Sequence, residues 1–169
     1  MTNAKHTGSD KARSPLSNGV ALVSRIAEDI WNRGDMTVVD EVMAADVVYH
    51  GPHMPGGVGD HETWRLAVSM YRSAFPDSHV TYEDFIVSGD TVVGRWSATG
   101  THTGPLPGAE ATGKAIAIGG ISIYRIADGK IVEVWEHLDL LGMWQQLGVV
   151  VLPGRDGVDD ADTRKGEAR

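Results

Sequence analysis

The sequence predicts an α+β fold, a cone in which N-terminal helices pack on a curved, mixed, mostly antiparallel sheet. Three observations carry this expectation. Apolar residues in the first half recur at three- and four-residue spacing, the period of an amphipathic helix. From His79 onward the chain reads as strands rich in Val, Ile, Thr and aromatic residues, broken by Gly-containing turns. No glycine-rich loop follows a strand and opens a helix, so a doubly wound nucleotide-binding sheet is excluded and no nucleotide site is assigned.

The elements follow in order. Val20, Leu22, Val23, Ile26, Ile30 and Trp31 form one helical stripe, with Ser17 as its expected cap and Gly34 able to take the left-handed conformation that ends it. Val38, Val39, Val42 and Met43 mark a second, short helix, and Val47 to His50 a short strand. Gly51 to Gly59 is Gly/Pro-rich and reads as a loop; His61 to Ala74 is a third helix ending before Phe75-Pro76-Asp77. Strands are then expected over 79–87, 91–101, 114–126 and 130–138, with turns at Ser88-Gly89-Asp90 and Ala127-Asp128-Gly129. Leu140 to Leu147 is a closing helical turn before Gly148. The domain is placed at 17–149, between tails at 1–16 and 150–169 whose polar, charged composition does not repay the entropy of ordering.

Composition narrows the function. The 169 residues fit one domain large enough for its own core. They include no cysteine, which excludes disulfides, a thiolate nucleophile and thiolate metal sites. A formal net charge of −8 argues against a nucleic-acid partner. No apolar run reaches the length of a membrane span, and Met1 to Ser14 has no apolar stretch behind its basic residues. The expectation is a soluble, cytoplasmic protein with no membrane partner.

Seven strings stand in a recognisable order: Asp46-Val-Val-Tyr-His50-Gly-Pro52, Phe75-Pro-Asp77, Gly89 to Trp96, Gly100-Thr-His102-Thr-Gly104, Thr112-Gly113-Lys114, Tyr124 to Trp135, and Gln146-Leu147-Gly148. Together they span roughly residues 17–149 and resemble the SnoaL-like polyketide and ester cyclases of the nuclear-transport-factor-2-like superfamily. The resemblance implies an apolar pocket inside the curved sheet, roofed by helices. It implies ring closure by intramolecular aldol condensation, with no metal and no cofactor, a carboxylate and often a histidine moving the proton. Aligned through the Asp128-Gly129-Lys130 turn, that carboxylate falls at Glu136. The partner histidine falls at Ser122, a departure, since serine cannot titrate in its place. His50 matches the family's histidine before a proline turn, and Asp139 resembles a recurrent family acid.

The residues themselves add the following. Glu136 alternates with Val132 and Val134, which predicts an apolar setting; there desolvation raises a carboxyl pKa toward the range of a useful base. His50 either shuttles a proton at the pocket mouth or caps the loop backbone. His53 and His61 lack a fixed spacing and a paired carboxylate, so no metal site is assigned. His137 and Asp139 are expected on the face opposite Glu136, with Asp139 suited to capping the terminal helix. Of Arg95 and Trp96, adjacent on one strand, one faces the pocket and the other the outer sheet surface. An inward Arg95 is an anion anchor or the partner of Glu136. His102 is expected near the pocket rim, in a structural or a binding role. Trp31, Trp64, Trp135 and Trp144, with Met43, Met70 and Met143, suit a small hydrophobic ligand. An exposed apolar sheet face, to which Trp96, Ala98, Ile116 and Ile118 are assigned, predicts a homodimer. The function expected is cofactor-independent acid/base chemistry, cyclisation or isomerisation of a hydrophobic polyketide-like carbonyl compound, with Glu136 as base and His50 with Arg95 polarising the enolate oxygen. A non-catalytic binding module and a cofactor-free hydroxylase or epoxide-opening enzyme remain alternative readings of the same pocket.

Overall fold

The computed structural model describes residues 15–52 and 54–151; His53 and most of both expected tails lie outside the described residues. The helical stripe becomes α1 (Pro15–Arg25), continued by a π-helical segment (Ile26–Asn32) that buries Ile26, Ala27 and Ile30. Because α1 begins at Pro15, Ser17 lies within it rather than capping it. Gly34 takes the left-handed conformation at φ +77°. After α2 (Val38–Val42) the chain enters β1 (Met43–His50), four residues earlier than its Val47 start in the sequence reading. A two-residue strand, β2 (Val58–Gly59), pairs with the end of β1 inside the stretch expected to be loop.

The third helix, α3 (His61–Ala74), is capped by Asp60, whose carboxylate accepts from Thr63 N–H. β3 (His79–Ser88), β4 (Thr91–Thr101), β5 (Ala115–Ala127) and β6 (Lys130–Leu138) form the expected antiparallel meander, and α4 (Leu140–Leu147) closes it. The sheet has six strands in the order β2-β1-β6-β5-β4-β3, mixed because β1 runs parallel to β6. A bulge between Tyr82 and Asp84 interrupts the β3–β4 register, and irregularities also lie within β1 and near Arg125. Such steps bend a sheet locally.

Two apolar clusters fill the concave side. One joins Val23, Ile30, Val39 and Met43 to Val47, Trp64, Val134 and Ile131. The other joins Phe75, Leu106, Ile116, Met143 and Leu147. Burying a side chain the size of Ile131 or Leu147 contributes roughly 1.5–3 kcal/mol.

Two side-chain amides tie helices to bare strand backbone. Asn32 makes a two-point bond with Val80 on edge strand β3 (2.9 and 2.7 Å). Gln146 of α4 does the same with Ala117 of β5 (2.8 and 3.1 Å). Asp139 caps α4 by accepting from Gly142 N–H at 2.8 Å. Replacing Asp139 by Ala is expected to cost about 1 kcal/mol in urea unfolding, whereas Asn, an equally good cap, preserves stability.

Candidate active site

Between the concave sheet and α3, α4 and the π-helical segment lies a cavity of about 850 Å³, its open mouth included. Its walls are apolar, with Trp31, Met43, Trp64, Phe75, Ile118 and Met143 among them. The polar exceptions come from strand alternation. On β6 the residues Val134, Glu136 and Leu138 face inward; on β5, Ile116, Ile118 and Tyr124 do so, with Ser122 buried between them. β1 contributes Tyr49, β3 Tyr82 and α3 Tyr71, so all four tyrosines of the chain line this one cavity. Glu136 is the one carboxylate among the described lining residues, and they include no Lys, Arg or His.

Glu136 is held at both oxygens. The Tyr49 hydroxyl donates to Oε2 in a very short contact. Ser122 Oγ donates to Oε1 at 3.2 Å and accepts from Trp96 Nε1 at 2.9 Å. Two glycines make this packing possible. A Cβ on Gly120, the cross-strand neighbour of Trp96, would lie 2.4 Å from the indole and 2.6 Å from the His137 carbonyl. A Cβ on Gly94 would lie 2.6 Å from the Tyr82 ring, which crosses β4 so that its hydroxyl meets that of Tyr124 at 2.5 Å.

The phenols are strongly perturbed. Burial, then the Glu136 charge, raises the Tyr49 pKa well above its usual 10. The same two causes, in the same order, raise Tyr124 and push Tyr71 up to about 12. Burial and then the Tyr124 phenol raise Tyr82. Each phenol is therefore a neutral donor.

Of the residues singled out in the sequence, Glu136, Trp96, Trp31, Trp64, Met43 and Met143 meet at this cavity, whereas the polar and charged candidates other than Glu136 do not. Arg95 faces outward and binds Asp84 Oδ2 through Nε and Nη2 (3.0 and 2.7 Å), so it is no partner of Glu136. His50 alternates away from Tyr49 onto the outer face, stacked on Trp135 at 5.3 Å and bonded to Glu133 Oε1 at 3.0 Å. Trp135 shares that outer face, with the Arg125 guanidinium 5.2 Å from its ring centre, and does not line the chamber. Trp144 and Met70 pack against the second core cluster instead. His102 is fully buried beside Phe75, its Nδ1 accepting from Thr112 N–H at 3.2 Å, and is a support for the following loop rather than a rim residue. Asp139 is committed to its cap. His61 does have carboxylates nearby, Asp40 at 3.3 Å and Glu62 at 3.5 Å, but Arg65 also binds Asp40, at 2.7 Å. Among the described residues no His/Asp/Glu group is placed to hold a metal. Trp96, Ala98, Ile116 and Ile118, expected on the outer face, line the cavity; the period-2 pattern is right and its phase reversed.

The tyrosines are what sequence reasoning missed. Their signal was available in part: Tyr49 is in phase with Val47, and Tyr124 with Ser122.

The family model for SnoaL-like polyketide cyclases matches residues 21–147, and the chain belongs to that family. It is similar to the aklanonic acid methyl ester cyclase DnrD of Streptomyces peucetius, 30% identical over 139 residues, covering 79% of this chain and 92% of that one. Among solved structures, TsrD of Streptomyces laurentii superposes with a TM-score of 0.71 at 28% identity, covering 79% of this chain and 97% of that one. IdmH of Streptomyces antibioticus superposes at 0.67 with 31% identity, covering 78% and 99%.

The raised phenol values make an optical prediction. The native protein shows little tyrosinate absorbance at 295 nm at pH 10.5, while the urea-unfolded chain titrates all four tyrosines near their ordinary value of about 10. A folded pKa above the unfolded one stabilises fully below the unfolded value and loses that contribution as pH rises, so thermal stability falls progressively above about pH 10.

Proposed function

We propose that the protein is a cofactor-independent cyclase that closes a ring in a hydrophobic, polyketide-like carbonyl compound, with Glu136 as the base. The observation that carries this reading is one carboxylate among the described lining residues, bonded at both oxygens, on the inner wall of a mostly apolar chamber whose other polar groups are neutral. A proton on carbon next to a carbonyl is weakly acidic. Its removal needs a fixed base, a substrate held against it and little competing water. Tyr49 and Ser122 orient the base. The aromatic and aliphatic walls suit a flat, apolar substrate.

An ion pair between Arg95 and Glu136 would lower the carboxyl pKa and favour a plain binding module; it is absent because Arg95 binds Asp84 on the other face. DnrD and its Streptomyces relative DauD are aklanonic acid methyl ester cyclases, and that ester is the first compound to test. Glu136→Gln is expected to retain the wild-type melting temperature and circular dichroism while losing roughly 10²–10⁴-fold in kcat/KM, the usual contribution of a general base. Unchanged turnover would remove Glu136 from the mechanism. Tight binding of the ester, returned unaltered by the wild type, would favour the binding module.

In this reading the protein works in the cytoplasm as a homodimer joined through the outer sheet face. Ile121 (49% exposed) and Ile86 (67% exposed) leave that face partly apolar beside the His50–Trp135 stack. Light scattering is expected to give twice the 18.1 kDa chain mass, and Ile121→Arg to return the mass of a monomer. A wild-type monomer at micromolar concentration would overturn the dimer.

A further inference from the structure

Ring closure makes a second demand that a base does not meet. When the new carbon–carbon bond forms, the attacked carbonyl oxygen becomes negative and needs a proton. The described residues lining the cavity include no cationic side chain, so the donor has to be neutral. Tyr49 is already committed to Glu136 Oε2, and Tyr71, also beside that charge, comes from α3 rather than from the strand that carries Ser122. Tyr82 and Tyr124 are joined oxygen to oxygen at 2.5 Å. Two phenols carry two protons; one occupies that contact and the other is directed elsewhere. A phenol that accepts a hydrogen bond becomes a stronger donor itself.

Tyr124 is the better placed of the two. It sits two residues from Ser122 on the same inward face of β5. Opposite them, Ser122 pairs across the strands with Glu136, and Tyr124 with Val134. The Tyr82–Tyr124 pair and the Ser122–Glu136 pair therefore stand next to each other on the inner face of the sheet.

Resting on the assignment of Glu136 as the base, we propose that Tyr124 is the acid that protonates the attacked carbonyl oxygen, that Tyr82 positions and polarises it, and that Ser122 returns the proton. Glu136 takes the proton from carbon, and the electron pair of that C–H bond becomes the enolate. The enolate carbon forms the new C–C bond, the carbonyl π pair moves to oxygen, and the Tyr124 O–H proton goes to that oxygen. Ser122 then passes its hydroxyl proton to the Tyr124 phenolate and takes the proton held by Glu136. Every group ends in its starting state, and the product keeps one new hydroxyl. Serine fits this place because the task is to hand a proton from one neighbour to the other, which requires no titration of its own. Burial keeps Tyr124 and Tyr82 protonated between turnovers, as the donor role requires.

The test reads binding of an oxyanion, so it does not depend on turnover. Glu136→Gln, with a neutral amide in place of the carboxylate, is titrated with 4-substituted phenols of graded acidity, with nitrobenzene as a neutral control of similar shape. The phenolate form is expected to bind, more tightly as the phenol becomes less acidic. Adding Tyr124→Phe weakens phenolate binding roughly 10- to 100-fold, the usual range for a hydrogen bond to a charged group, and leaves nitrobenzene unchanged. Adding Tyr82→Phe instead retains binding with a flatter dependence on probe acidity, an effect that loss of packing alone does not produce. The proposal is overturned if Glu136→Gln binds no phenolate, or if Tyr124→Phe leaves phenolate affinity unchanged in a folded protein. Failure of the base assignment appears separately, as undiminished ester turnover by Glu136→Gln.

Discussion

A carboxylate facing an apolar cavity is the constraint from which most of this molecule follows. Taken from water without compensation, such a group costs several kcal/mol, so it has to be hydrogen-bonded or left out. Here Tyr49 and Ser122 each supply a donor to one Glu136 oxygen, and Trp96 holds Ser122 in place. The indole reaches Ser122 because residue 120 on the facing strand has no side chain. Four strands, β1, β4, β5 and β6, are thereby tied to one functional group. The parallel β1–β6 pairing is indispensable, since it sets Tyr49 opposite Val134, within reach of Glu136.

The same strands present a second, different surface on their convex side. His50, Trp135, Glu133 and Arg125 form one mixed ionic and aromatic cluster there, and Arg95 with Asp84 forms another. These charges lie where water can reach them, which is where charges are inexpensive. Keeping them out of the chamber leaves its chemistry to one anion and neutral hydroxyls. Division of labour between two faces is a direct result of the period-2 geometry of a strand.

The element boundaries were largely legible because they depend on local patterns. α3, β4, β6 and α4 run over the residues their periodicity and flanking turns indicate. β1 began earlier because Met43 pairs with Ile131 of β6, and pairing with an existing strand overrides a weak local preference. Val58-Gly59 became a strand for the same reason, by pairing with Tyr49 and His50.

The sequence by itself determined the fold class, the family and the candidacy of Glu136, because these rest on period, turn chemistry and ordered strings of residues. It did not determine the phase of the sheet. Alternation says that Arg95 and Trp96 point opposite ways, and His50 and Tyr49 likewise, but which of each pair faces the helices depends on long-range packing. Nor did it reveal that tyrosines at positions 49, 71, 82 and 124 converge on one cavity. They are far apart in the chain, and strand register, the Gly94 and Gly120 gaps and the parallel β1–β6 pairing bring them together. Those are properties of contacts between distant segments, and only the tertiary structure decides them.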